Sequence, residues 1–265
     1  MTSQLTHKKI AQEDISLSDV IVDVSSLQSF LESFPLHGTN LYQTVFKRNA
    51  DIVQTQKEHL AVVNLEKILK ATFAVSSESG FDRMSLRDLS RQTSMSMGAI
   101  YSCINKKEDI ALMIADVVRL SSNLTYQYSR RSTTAWSQIE QSIRFHLLAS
   151  TVLQPWYFFL FFETRSLPED QQQASKQIEL GAIQNFQDSI NKGVKAGEFS
   201  VDDSYMVANT IVVLLEDWYL KPWKTQALSN KSNKQGSVPE LKEQNINNYS
   251  QLILKLLKQL LSVSK

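Results

Sequence analysis

The sequence is poor in residues that turn a chain sharply. It holds 7 glycines and 5 prolines among 265 residues, where ordinary usage is about 7% and about 5%. Hairpin turns and bulges draw on both for their special backbone angles, so the shortage excludes an all-β fold. No GxGxxG or GxxxxGK(S/T) run occurs, which removes the two phosphate-cradling glycine loops of nucleotide-binding α/β folds. A single cysteine, Cys103, cannot close an intramolecular disulfide, and four scattered histidines give no zinc-ligand spacing. The longest dense apolar stretch, Trp156 to Phe162, falls far short of the ~20 residues that cross a bilayer. The first thirty residues lack the basic start and apolar run of a signal peptide. What remains is an all-α protein, expected to be cytoplasmic, without a membrane partner and without a cofactor. Lys and Arg number 28 against 27 Asp and Glu, a formal net charge of +1. Any basic footprint for nucleic acid must therefore be local.

Residues 1–42 are mixed in character, with Pro35 and Gly38 closing a short apolar segment, Val20 to Phe34, and suggest an extension of unassigned role. Beyond them, Leu65, Ile68, Leu69, Thr72 and Phe73 recur at the spacing of one buried helix face, and Gly80 supplies a stop. Ser85 followed by Asp88 has the form of a capping box and opens a short helix that buries Leu86 and Leu89. After Thr93 to Met95 a third helix is expected from Ser96 to Cys103. Asn105, Lys106, Lys107 and Glu108 repeat the capping pattern ahead of a long helix through Leu112, Ile114, Val117 and Val118. Further periodic segments run over 134–153, 155–166, 168–196, 202–226 and 239–263, with Pro155, Pro168, Gly197 and Pro239 at their borders. Pro222 should end or kink the fourth, and Ser229 to Ser237 reads as a loop.

Two short helices joined by a tight turn, between a longer helix before and a longer one after, form the helix-turn-helix pattern. Its second short helix is narrow enough for the DNA major groove, while the first crosses the phosphate backbone. The runs Gly80-Phe81-Asp82-Arg83-Met84-Ser85-Leu86-Arg87-Asp88-Leu89-Ser90, Ser96-Met97-Gly98-Ala99-Ile100-Tyr101 and Lys107-Glu108-Asp109-Ile110 resemble the TetR family of bacterial transcriptional repressors. The resemblance spans about residues 62–115, one fifth of the chain. It departs from the family at Ile104, usually aromatic, and at Ser94, often glycine. The resemblance implies a DNA-binding unit over 43–115, with an extended first helix, and a helical effector-binding and dimerisation unit over 116–265. By the same resemblance Met97, Gly98 and Ala99 meet base edges, through thymine methyls and close backbone approach. Arg87 reaches a base or phosphate. Tyr101 and Lys107 contact phosphate, with Ser85 and Ser96 as further donors. Gly98 also stands out by itself, because glycine inside a helix costs about 1 kcal/mol against alanine.

The resembled family uses its C-terminal helices to dimerise and to hold a small-molecule pocket. Here the run Pro155 to Glu163 is aromatic on every face, so other helices must enclose it or it must line a cavity. The expected pocket residues are Trp136, Phe145, His146, Trp156, Phe159, Phe162, Glu163 and Trp218, and the expected effector is small and hydrophobic, with acyl-chain compounds among the candidates. Glu216 and Asp217 interrupt an apolar helix. One of them bonds a partner or ligand, or both lie at an exposed edge. The last helix carries a stripe wider than one neighbour needs, through Ile246, Tyr249, Leu252, Ile253, Leu256, Leu257, Leu260 and Leu261. With the 202–226 segment it is expected to form a homodimer interface.

The function this implies is a ligand-responsive repressor, released by its effector from a near-palindromic operator in double-stranded DNA. The competing reading is a helical interaction protein of the same fold that acts through protein partners. At single residues, plainer roles stay open. Tyr101 as a core aromatic, Arg87 as an ion-pair residue with Asp88 or Asp82, and Lys47, Arg48 and Lys57 as a solvated face rather than a basic arm are the main ones. A densely packed core without a ligand and an inert Cys103 are two more. No catalytic constellation can be assembled, so the protein is not read as an enzyme.

Overall fold

The computed structural model of the protein describes residues 21–55, 57–167, 169–224 and 237–262. Among these there is no strand; the fold is all-α. In chain order the helices are α1 (Leu27–Ser33), α2 (Gly38–Arg48), α3 (Glu58–Ser79), α4 (Leu86–Thr93), α5 (Met97–Tyr101), α6 (Lys107–Ser129), α7 (Ala135–Val152), α8 (Gln154–Phe158), α9 (Glu169–Lys195), α10 (Ser204–Leu220) and α11 (Val238–Leu260). A π-helical turn, Phe159–Glu163, continues α8 and passes into a 3-10 turn, Thr164–Ser166. No single helix is long and apolar enough, among the described residues, to cross a membrane.

Capping follows the sequence closely. The Ser85 hydroxyl accepts from the Asp88 N–H at 3.3 Å, and the Asp88 carboxylate accepts from the Ser85 N–H at 2.9 Å. These bonds satisfy donors that the first turn of α4 would leave orphaned. Gly80 ends α3 at φ 84°, where its N–H still reaches the Ser76 carbonyl at 2.8 Å. At the start of α6 the pattern is displaced by one residue. Buried Asp109, not Glu108, receives the N–H groups of Asn105 and Lys106, at 2.9 and 3.1 Å. The segment expected over 155–166 is broken into three kinds of helix, and α7 meets the α8–π segment at 93°. The segment expected to 226 stops at Leu220, because Pro222 holds Lys221 out of the helical region. The expected border at Pro168 and most of the expected loop over 229–237 lie outside the described residues.

Residues 43–57 do not extend the first helix of the DNA-binding unit. Residues 43–48 complete α2, the described residues after them form a turn and an extended stretch, and α3 begins at Glu58. Nor does Arg48 serve as a free basic arm. Its Nε and Nη2 grip Asp116 on α6 at 2.6 and 3.0 Å, and Arg119 joins the same carboxylate. The bidentate geometry and near-burial of this pair make it a clamp between α2 and α6.

The segment before α2 belongs to the core. Phe30 stacks on Phe34, with centroids 4.6 Å apart, and both rings meet Phe145 of α7 edge-on, at 5.3 and 6.0 Å. Arg144 on α7 donates to the carbonyls of Val24 and Ser25, at 2.8 and 3.1 Å. It also pairs with Glu243 of α11 at 3.0 Å and hydrogen-bonds Asn247. Glu243 in turn accepts from the Leu27 N–H. One guanidinium thus gathers the N-terminal segment, α7 and α11. Phe30→Ala should destabilise the protein by about 3–5 kcal/mol, as for other fully buried aromatics. Urea denaturation measures this, and a loss below about 1 kcal/mol would show the segment to be an appendage.

Candidate DNA interface and effector cavity

The helix-turn-helix is built as its residues require. Ser94 closes α4 in the left-handed region, φ 56°, a conformation that short polar side chains tolerate better than bulky ones, so glycine is not needed in the turn. Ile104, Ile100 and Leu89 are fully buried behind α5. The Ser96 hydroxyl caps α5 by accepting from the Ala99 N–H at 3.2 Å, and its own proton remains available outward. Tyr101 is 48% exposed, so about half of its side chain faces solvent. Arg87 is exposed and has no ion-pair partner among the described residues. Asp88, the candidate partner, is paired with Arg91 instead. Its carboxyl is held below the usual carboxylate range by hydrogen bonds from Ser85, with Arg91 adding to the effect.

Two expected contacts are already engaged within the protein. The Lys107 ammonium donates to the carbonyls of Phe81, Asp82 and Met84, at 3.1, 2.6 and 3.2 Å, and lies over the Phe81 ring. Three acceptors use its three N–H groups, so Lys107 ties α6 to the α3–α4 loop and has none left for a phosphate. The Ser85 hydroxyl donates to Asp88 at 2.7 Å, within the α4 cap.

Gly98 is exposed, and a Cβ at this position would meet only the Ser96 Oγ, at 3.9 Å. Nothing within the chain requires glycine there. Gly193 is the opposite case: a Cβ would collide with the Phe199 ring at 2.2 Å, and packing explains it.

In the C-terminal helices a narrow cavity of about 20 Å³ opens between α6, α7, α8, α9 and α10. His146 alone of the eight expected pocket residues lines it. The remainder pack as core or surface. Trp136 meets Phe199, Phe145 faces Phe30 and Phe34, and Trp156 and Phe159 enclose Phe73. Phe162 stacks on Phe158 with the Arg165 guanidinium 4.0 Å above it, and the Trp218 Nε1 donates to Thr151 at 3.0 Å. Glu163 is buried and accepts from the Phe81 N–H at 3.0 Å.

The residues that line this cavity include Tyr157, Phe161, Glu179, Glu216 and Tyr219. The two acids of the apolar helix therefore part company. Asp217 faces outward to Lys221 and Lys224; burial would raise its pKa, but hydrogen bonds from the two ammonium groups outweigh that and lower it. Glu216 faces the cavity, where burial, reinforced by the charge of Glu179, pushes it up to about 7. Burial holds His146 at about 4, so its ring is neutral at pH 7. An acid inside an apolar helix was the sequence signal for Glu216; Glu179, within the polar α9, gave none. Cys103 is buried and its thiol is pushed up by that burial, as an inert cysteine's would be.

Residues 132–220 match the model of the tetracyclin repressor-like C-terminal domain. No curated protein matches the sequence. Among solved structures, a tetR-family regulatory protein from Rhodococcus RHA1 is 17% identical, with a TM-score of 0.55 over 73% of this chain and 96% of its own. The MbdR regulator from Azoarcus sp. CIB is 16% identical, with a TM-score of 0.57 over 72% and 97%. The transcriptional regulator FadR from Bacillus subtilis, in complex with stearoyl-CoA, is 16% identical, with a TM-score of 0.54 over 72% and 96%. These likenesses establish the fold, and about a quarter of the present chain lies beyond them.

The raised Glu216 has a consequence for stability. Between pH 4.5 and 7 the folded protein keeps a proton that the unfolded chain has released, so this group's contribution to stability falls as pH rises through that window. Glu179, Tyr219, Tyr157 and His146 surround the same cavity, and His146 acts in the opposite sense between pH 4 and 6.5. Glu216→Gln should therefore gain stability relative to the unaltered protein as pH rises from 4.5 to 7. Thermal melts across that range test it, and parallel pH profiles of the two proteins would refute it.

Proposed function

From a chain that carries a tetracyclin repressor-like C-terminal domain on a TetR-family fold, we propose a homodimeric, ligand-responsive repressor of transcription. It binds a near-palindromic operator through α5 and leaves it when a small effector fills the cavity. Gly98 is the observation that carries this reading: a glycine at the front of an exposed helix, with no internal reason to be one, fits a surface that another backbone approaches closely. Arg87 reads or positions from α4. Ser96 and Tyr101 donate to phosphates, and Met97 and Ala99 offer apolar contact to thymine methyls. Lys107 acts by holding the α3–α4 loop rather than by touching DNA.

Dimerisation through α10 and α11 is supported by their outward faces. On α11, Ile246, Ile253 and Leu257 are buried inward, while Leu252, Leu256 and Leu260 are 53%, 40% and 49% exposed along one side. Val213 and Met206 of α10 are also exposed. A symmetric pair would place two α5 helices about 34 Å apart, in successive major grooves.

The π-helical turn supports coupling between the two ends. Phe161 lines the cavity, while Phe159 of the same turn packs on Phe81 with centroids 4.8 Å apart, and Glu163 holds the Phe81 N–H. An effector that binds better when this turn is displaced shifts α3 and α4 with it; an effector indifferent to the turn shifts nothing.

Selection of bound fragments from a genomic DNA pool should yield one near-palindrome, with affinity that falls steeply with salt. Failure to select any sequence would sink the repressor and favour action through protein partners. Gly98→Ala should leave stability unchanged or raise it by up to about 1 kcal/mol, yet weaken operator binding at least tenfold by interposing a methyl. Unaltered affinity would remove Gly98 from the interface. Leu256→Glu should convert dimer to monomer in sedimentation velocity, and a dimer that persists would place the interface elsewhere.

A further inference from the structure

Elsewhere the buried and partly buried charged groups have partners of opposite charge or backbone N–H donors. Arg48 meets Asp116 and Arg144 meets Glu243, while Asp109 and Glu163 accept backbone N–H bonds. The candidate cavity differs. Glu179 on α9 and Glu216 on α10 both line it, and neither has an ion-pair or hydrogen-bond partner among the described residues. No lysine or arginine lines it, and its one basic residue, His146, is kept neutral. Independently, the His146 Nε2 is covered from solvent and has no hydrogen-bond partner among the described residues. Native proteins leave few such atoms unsatisfied, and this one borders an opening. The walls between these groups are the rings of Tyr157, Phe161 and Tyr219.

The geometry points to a small organic cation as the occupant: an amine on an apolar body, its ammonium between Glu179 and Glu216, its body against the aromatic walls, and a polar group toward His146. This rests on the effector reading above and names the ligand's class. A carboxylate or phosphate ligand would add a third negative charge beside two unanswered ones. A ligand without hydrogen-bond donors would strip water from both acids and return nothing, and a neutral donor would leave their charge unanswered. An ammonium answers both through charge-assisted hydrogen bonds, and aromatic faces favour it again. The enclosed space is small, about 20 Å³, room for the ammonium head, so the ring of a short arylalkylamine lies toward the cavity's mouth. Because Glu216 is partly protonated near pH 7 and Glu179 is the charge beside it, binding a cation drives a proton off. Tyr157, Tyr219 and His146, which face the same space from α8, α10 and α7, stay neutral in this range.

Three near-isosteric probes test this by titration calorimetry on the full chain: 2-phenylethylamine, 2-phenylethanol and 3-phenylpropanoate. At pH 7.5 the amine should bind at least tenfold more tightly than the alcohol, with the carboxylate weakest. Amine affinity should fall several-fold at pH 6.0, with proton release detected as a dependence of heat on buffer. Glu179→Gln and Glu216→Gln should each weaken the amine at least tenfold and leave the alcohol unchanged, in proteins whose thermal melts show them folded. No binding of the amine, or equal or tighter binding of the alcohol or the carboxylate, overturns the inference. The selected DNA duplex, tested with the same preparations, separates the two proposals. Specific DNA binding without amine preference overturns only the ligand class, whereas amine preference without specific DNA binding overturns only the repressor.

Discussion

The rest of the molecule turns on how Phe81 is held. Its ring is fully buried against Phe159, its N–H is taken by Glu163, and its carbonyl is one of three gripped by Lys107. This single residue thus joins the end of α3, the π-helical turn and the first turn of α6. Helices α4 and α5 leave the core directly after it, so their orientation is inherited from this junction. Because the Phe81 N–H and the Glu163 carboxylate are buried, their bond must be kept or replaced if the junction moves.

Charge is distributed with a similar economy. Around Asp116 and around Arg144, long side chains link helices far apart in the sequence, and every charge has its opposite. The cavity is built otherwise: among the described residues its two acids have no ion-pair partner, and the Nε2 of its neutral imidazole has no hydrogen-bond partner.

The helices were legible because their signals are local. The apolar period of α3, the glycine after it, the Ser85–Asp88 box and the prolines beginning α8 and α11 each specify structure within a few residues. The helix-turn-helix followed from their order and spacing. The cavity was not legible for a related reason. Aromatic density in Pro155 to Glu163 says that the segment is enclosed but not by what, and Trp156 and Phe159 turn toward Tyr42, Phe73 and Phe81 while Tyr157 and Phe161 turn toward α10. That choice depends on a π-helical turn that no period of 3.6 announces. Lys107 likewise looked like a phosphate ligand until the carbonyls 23 to 26 residues earlier were seen to surround it.

The Arg144 node also bears on the order of folding. The Leu27 N–H is answered by Glu243, 216 positions later, and Phe30 and Phe34 pack on Phe145. Local helices form readily, but contacts of such long sequence separation close late. Phe30 and Phe34 therefore stay uncovered until α7 is in place, and the Leu27 N–H stays unanswered until α11 docks.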